Sequence, residues 1–286
     1  DSLKNSKNSE GVLAILNDVN HDQNLLTKLV YAFEFKDNDV TPSRFRPFPS
    51  FNTKEKDDKS LFKSVSRKIF SEDLIAVNKI DVKNALSNKI SIAMIDRLTL
   101  NVDRIKDMLK SLDEIIKLKD PVGCIISEWP RPNGLHIQKI SIPLGVIGVI
   151  YESRPNVTVD ASAISIKAGN AVILRGGKDS FFSSQKLKEI INLSFSSVGL
   201  PENIVQMIDN TDRSSVEEML KLDRYIDVII PRGGKNLIKL VKEKSSIPVI
   251  KHLDGICHVF VEKNADLNKA KELIFNSKMR RPGICG

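Results

Sequence analysis

From Gly145 onward the sequence alternates short β-branched runs with helical stretches, and this alternation constrains the fold more than any other feature. "GVIGVIY" (145–151) is a β-run, "VDASAISIKAG" (159–169) a helix closed by Gly169, and "NAVILR" (170–175) a strand. "SSQKLKEIINLSFSSVG" (183–199) is a second helix ending at Gly199, "NIVQMI" (203–208) a strand, and "SSVEEMLKL" (214–222) a third helix with Ser214 as its cap. "IDVIIP" (226–231) and "GKNLIKLVKEKS" (234–245) add a strand and a helix, and "IPVIKH" (247–252) and "HVFVEK" (258–263) read as two more strands. Such an order builds an α/β fold with a parallel sheet covered by helices on both faces and ligands at the carboxyl ends of its strands.

Ahead of this region, "GCIISEW" and "GLHIQKISIP" read as two strands joined by "PRPN". The rest of the N-terminal half reads as helical. Leu25, Leu26, Leu29, Val30 and Phe33 fit an amphipathic helix within 12–34, and Leu98, Leu100, Ile105, Met108, Leu109, Leu112, Ile115 and Ile116 carry the helical pattern over 72–118. Between these stretches, residues 35–71 hold three close prolines, scattered Phe and mixed charge, the texture of an irregular surface insertion.

At 286 residues the chain has room for one large α/β domain or two ordinary ones. No apolar run reaches the roughly 18 residues that a membrane span needs, and the polar start "DSLKNSKNSE" is not a signal peptide. Cys124, Cys257 and Cys285 have no metal-like spacing and point to a reducing cytoplasm; the first two lie in or beside predicted strands and read as core. The formal charge of +8 is unevenly spread, with nine Lys/Arg against five acids in 36–70 and near balance elsewhere. A general nucleic-acid footprint is therefore not expected.

Two loops at strand ends carry the chemistry. "AVIL" runs into "RGGKDS" and "DVIIP" into "RGGKNL", so Arg-Gly-Gly-Lys stands twice where a strand hands over to a helix. Paired glycines admit close backbone approach, helix amides donate, and the cations add positive charge, a combination suited to a phosphate-bearing ligand. Neither copy is a Walker loop or a GxGxxG fingerprint, and each could be an ordinary turn. Near the end, Lys278, Arg280 and Arg281 precede Cys285, and neighbouring cations favour the nucleophilic thiolate.

The stretches "PLGVIGVIYESRPNVTVDASAISIKAGNAVILRGGKDS", "IPRGGKNLI" and "HLDGICHVFVEKNADLNKAKELIFNSKMRRPGIC" resemble the gamma-glutamyl phosphate reductase (glutamate-5-semialdehyde dehydrogenase) family of the aldehyde dehydrogenase superfamily. The likeness runs over 72–286 and reaches back weakly over 9–34, where "LLTKLVYAFE" looks like that family's first helices. It implies a Rossmann-like cofactor domain over 1–250, including an oligomerisation hairpin at about 122–143, and the beginning of a catalytic domain over 251–286.

The implied reaction is NADPH-dependent reduction of L-glutamyl 5-phosphate to L-glutamate 5-semialdehyde with release of phosphate, in proline synthesis. Cys285 would be the nucleophile, with Asn156 and the Cys285 amide as oxyanion donors; His252 stands in the region where oxidative relatives carry a base. Arg175, Gly176, Gly177 and Lys178 would receive the adenosine ribose and its 2′-phosphate, and Gly233, Gly234 and Lys235 the pyrophosphate. Asn156 could equally cap the following helix, and His252 could be a strand-end residue.

Family members continue well past the cysteine, so the resemblance implies a chain truncated after its nucleophile and, in the full-length family, a homo-oligomer. Three readings follow: a reductase completed by a separately encoded chain, a nucleotide-binding remnant without catalysis, and a nucleic-acid or surface-binding protein acting through 36–70. The third is the least supported by the charge distribution.

Overall fold

The structure is a computed structural model that describes residues 10–15, 27–35, 58–69, 72–198, 201–251 and 257–280. Its centre is a four-stranded sheet of β5 (Val146–Tyr151), β6 (Ala171–Arg175), β7 (Val205–Met207) and β8 (Val228–Arg232) in the order β7-β6-β5-β8. All three pairings are parallel, with Val149 opposite both Leu174 and Ile230. β5 lies in the middle and is almost wholly buried, as its near-continuous apolar run requires.

Side-chain alternation along the strands divides the core in two. Ile147, Val149 and Tyr151 of β5, with Val172 and Leu174, join a large buried cluster under α4 (Val102–Lys117), α5 (Pro155–Lys167) and α6 (Phe181–Ser197). Ile150 and Ile229 join Val216, Met219, Leu220 and Val241 on the other face, under α7 (Arg213–Met219) and α8 (Lys235–Lys244). The doubly covered sheet expected from the βαβ alternation is thus present. α7 begins at Arg213 with Asp212 as its N-cap, so Ser214 lies inside the helix and is not its cap.

Two N-terminal expectations are corrected. The segment 35–71 is not irregular throughout, because α1 (Asp58–Ile69) occupies its end. Leu61, Phe62, Val65 and Ile69 fall on one face at helical spacing, are buried, and pack the helix against α6. Ser64 Oγ meets Ser197 Oγ at 2.9 Å and Lys68 Nζ donates to the Leu193 carbonyl at 2.7 Å. Residues 36–57 and 70–71 lie outside the described residues. The helical stretch expected over 72–118 is found as α2 (Glu72–Ser87), α3 (Ile92–Leu98) and α4.

The second correction concerns 12–34, read as a helix from its apolar spacing. The described parts of this stretch are strands, β1 (Glu10–Ile15) and β2 (Thr27–Phe35). They extend the expected hairpin, β3 (Ile125–Pro130) and β4 (His136–Pro143), into an antiparallel sheet of order β1-β2-β4-β3. "KLVYAFEF" is rich in β-branched and aromatic residues, and the edge of β4 supplies a ladder of backbone partners, so tertiary pairing overrides the helical spacing.

After β8 the regular sheet ends. "IPVIKH" contributes one bridge, Ile229 to Val249, and "HVFVEK" forms no strand among the described residues. α9 (Leu267–Ile274), capped by the Asp266 carboxylate, leads into a π-helical turn at Phe275–Met279. None of 257–280 joins either buried cluster. Cys257, read as core, is exposed there because its expected strand finds no neighbour, whereas Cys124 is half-buried and donates to the Asp120 carbonyl at 3.1 Å.

Candidate functional site

Parallel pairing brings the loops after β5, β6 and β8 to one rim of the sheet. The β5 loop is Glu152–Ser153–Arg154, followed by Pro155 at the first turn of α5, where its fixed φ suits a helix start. Ser153 adopts a left-handed φ of 37°, uncommon for a residue with a Cβ, and its hydroxyl donates to Asp179 Oδ2 at 3.0 Å. The β5 loop is thereby tied to the β6 loop.

The close approach permitted by the first glycine pair is to this chain itself. A Cβ on Gly176 would lie 3.2 Å from the Tyr151 hydroxyl, and one on Gly177 would lie 2.9 Å from the Ser153 backbone nitrogen. Tyr151 is buried, with its hydroxyl 2.7 Å from Thr158 Oγ1, and burial raises its pKa. In the second pair, a Cβ on Gly233 would come within 2.7 Å of the Glu152 carboxyl group, while at Gly234 the nearest atom is 3.7 Å away.

The cations divide in the same way. Arg175 is buried, and its guanidinium donates to the carbonyls of Gly176 (2.6 Å), Thr211 (2.9 Å) and Asp212 (3.0 Å). Burial pulls its pKa down from the usual arginine value, with the negative charge of Asp212 acting the other way. Arg175 thus fastens the loop after β7 to the loop after β6, a role its position in "RGGK" did not reveal. Lys178 and Lys235 are exposed at the rim. Lys178 lines a cleft of about 570 Å³ with Asp179, Asp209, Asn210, Thr211, Asp212 and residues of α2.

Asn156 sits in the first turn of α5 and donates through Nδ2 to Asp160 Oδ2 at 3.0 Å. Asp160 Oδ1 is buried with no partner among the described residues, and burial raises the Asp160 pKa, with the Asn156 bond acting the other way. The two other expected catalytic residues, Cys285 and His252, lie outside the described residues.

Two carboxylates that sequence reasoning did not single out also shape the rim. Asp81, on α2, accepts from the amides of Phe182 (3.2 Å) and Ser183 (2.7 Å) and from Ser183 Oγ (2.6 Å) at the start of α6. Glu152 accepts from the Gly234 amide at 2.8 Å at the start of α8. Neither helix is capped by its own N-cap side chain: Gly234 has none, a signal visible in the sequence, while Ser180 is of a capping type but makes no cap hydrogen bond. The donor set suits a dinucleotide phosphate: exposed lysines at both loops, an open backbone position at Gly234, and an anion-favouring helix start that an internal carboxylate already fills.

Residues 73–285 match the family model described as the aldehyde dehydrogenase family. A gamma-glutamyl phosphate reductase of Bartonella tribocorum is 49% identical over 224 residues, covering 78% of this chain and 55% of the relative. The crystal structure of the gamma-glutamyl phosphate reductase of Thermotoga maritima superposes with a TM-score of 0.73 at 41% identity, over 80% of this chain and 56% of that one. An engineered glycolyl-CoA reductase with bound NADP+ shares the fold at 21% identity and a TM-score of 0.57, over 77% of this chain and 47% of that one. The chain spans about half the length of the curated relatives it matches.

Proposed function

The chain belongs to the aldehyde dehydrogenase family, and from that premise we propose that it is the cofactor-holding part of a gamma-glutamyl phosphate reductase. The reaction is reduction of L-glutamyl 5-phosphate to L-glutamate 5-semialdehyde, with NADPH as reductant and phosphate released. The observation that carries this reading is the 49% identity over 224 residues to a relative of that name, a span that includes more than the sheet alone. The loop geometry supports it, because the three loops after β5, β6 and β8 meet at one rim that carries Lys178, Lys235 and the start of α8, where Glu152 accepts the Gly234 amide.

In this reading the Cys285 thiolate displaces phosphate from the acyl carbon to give a thioester. The nicotinamide cofactor, when bound, supplies the hydride, and carbon–sulfur cleavage returns the thiolate and frees the aldehyde. Asn156 donates to the developing oxyanion, held by Asp160. Lys178 is the cation available to a 2′-phosphate, since Arg175 is occupied by backbone carbonyls. The hairpin at 122–143 serves as an assembly arm, residues 251–286 begin a second domain, and the sparse cysteines suit a cytoplasmic setting.

Among the described residues no helix is long and apolar enough to cross a membrane. The exposed apolar side chains of 257–280 favour a second reading, a nucleotide-binding module without turnover. Phosphate-dependent oxidation of the semialdehyde by NADP+, assayed with this chain and with the chain extended by the C-terminal part of a relative, separates the two. Turnover that is lost in Cys285→Ser supports the reductase, whereas NADPH binding without turnover in either form supports the module.

A further inference from the structure

Parallel register sets Tyr151 beside Arg232, and the Glu152 amide continues the ladder by donating to the Arg232 carbonyl at 3.1 Å. The next side chain along therefore projects over Gly233 and Gly234. There the Glu152 carboxylate accepts the Gly234 amide at 2.8 Å, in the space that any Cβ on Gly233 would invade. α8 runs for ten residues and has glycine at its N-cap, so this carboxylate is the negative charge at a helix start that favours one. Glu152 is an exposed residue, so its side chain can rotate into water without opening the core.

We propose that Glu152 is a built-in competitor for the pyrophosphate of the dinucleotide, holding the phosphate seat of α8 in the free protein and leaving it when the cofactor binds. This inference rests on the cofactor reading above. Two anions cannot share the Gly234 amide, so each binding event includes displacement of the carboxylate. The binding affinity is set partly by that internal competition. The glycine at 233 then has a specific purpose, which is to leave room for the competitor.

The test is calorimetric titration of the intact chain with NADPH and, separately, with inorganic pyrophosphate, comparing the wild type with Glu152→Gln and Glu152→Ala. Both variants are expected to bind both ligands roughly two- to fivefold more tightly, the range expected for removing one exposed charge from a helix terminus. Glu152→Ala is expected to melt at a lower temperature without ligand, having lost its cap, while Glu152→Gln keeps a neutral acceptor and confirms that the fold is intact. Unchanged or weaker binding of both ligands in the variants overturns the proposal, as does failure of every form to bind either ligand. Tighter pyrophosphate binding in the variants, with no NADPH binding by any form, upholds the competitor and sinks the cofactor reading instead.

Discussion

Asp160 and Arg175 show how far burial decides what a charged residue does. Both belong to stretches that sequence reading connects with chemistry, yet the structure gives each a supporting position behind the residue in front of it. Arg175 was legible as a cation next to glycines, but not as a buried fork satisfying three carbonyls, because that depends on where the loop after β7 passes. For Asp160 the consequence is measurable with pH. Burial raises its folded pKa above the usual 3.8, so between 3.8 and the raised value the native state holds more protons than the unfolded chain. Stability attributable to this group therefore falls as pH rises through that window, and stays reduced above it. Asp160→Asn keeps an acceptor for Asn156 and removes the ionisation. Thermal melts should show the variant gaining on the wild type at pH 7, with the gain disappearing below pH 3.8.

At the scale of elements, the strands and helices from Gly145 to Lys244 were readable because each satisfies its own periodicity, whereas "IPVIKH" and "HVFVEK" have strand composition but form only one bridge in all among the described residues. α1 and β2 were not readable. The apolar face of α1 is four residues close to a proline-rich run, and the apolar residues of β2 fit both a helix and a strand until the edge of β4 is known. The attachment of α2 to α6 was equally hidden, since it depends on single polar side chains. Asn78 accepts the Leu100 amide and donates to the Leu98 carbonyl and Ser183 Oγ, while Asp81 takes the first amides of α6. Asp81→Ala leaves those buried donors without an acceptor and should cost about 2–3 kcal/mol, read by chemical denaturation. Ser183→Ala, which removes one hydroxyl and leaves both amides capped, should cost about 1 kcal/mol in the same measurement.

For the whole molecule, the division between a sheet with two covered faces and an exposed C-terminal stretch dominates. Phe260 is 87% exposed and Phe275 63%, and neither joins a buried cluster. Exposed aromatic surface of this kind drives association. The double variant Phe260→Ser, Phe275→Ser should shift sedimentation profiles towards smaller species while leaving the melting temperature of the sheet domain unchanged. Pattern and composition gave no sign of this exposed stretch, and only the family resemblance set a division at residue 250, because exposure depends on which neighbours are present.

The close approach at Gly177, where a Cβ would lie 2.9 Å from the Ser153 nitrogen, and the Ser153–Asp179 hydrogen bond together join the two loops. A Cβ at position 177 would have to displace Ser153, the partner of Asp179, so neither loop can be redrawn without disturbing the other.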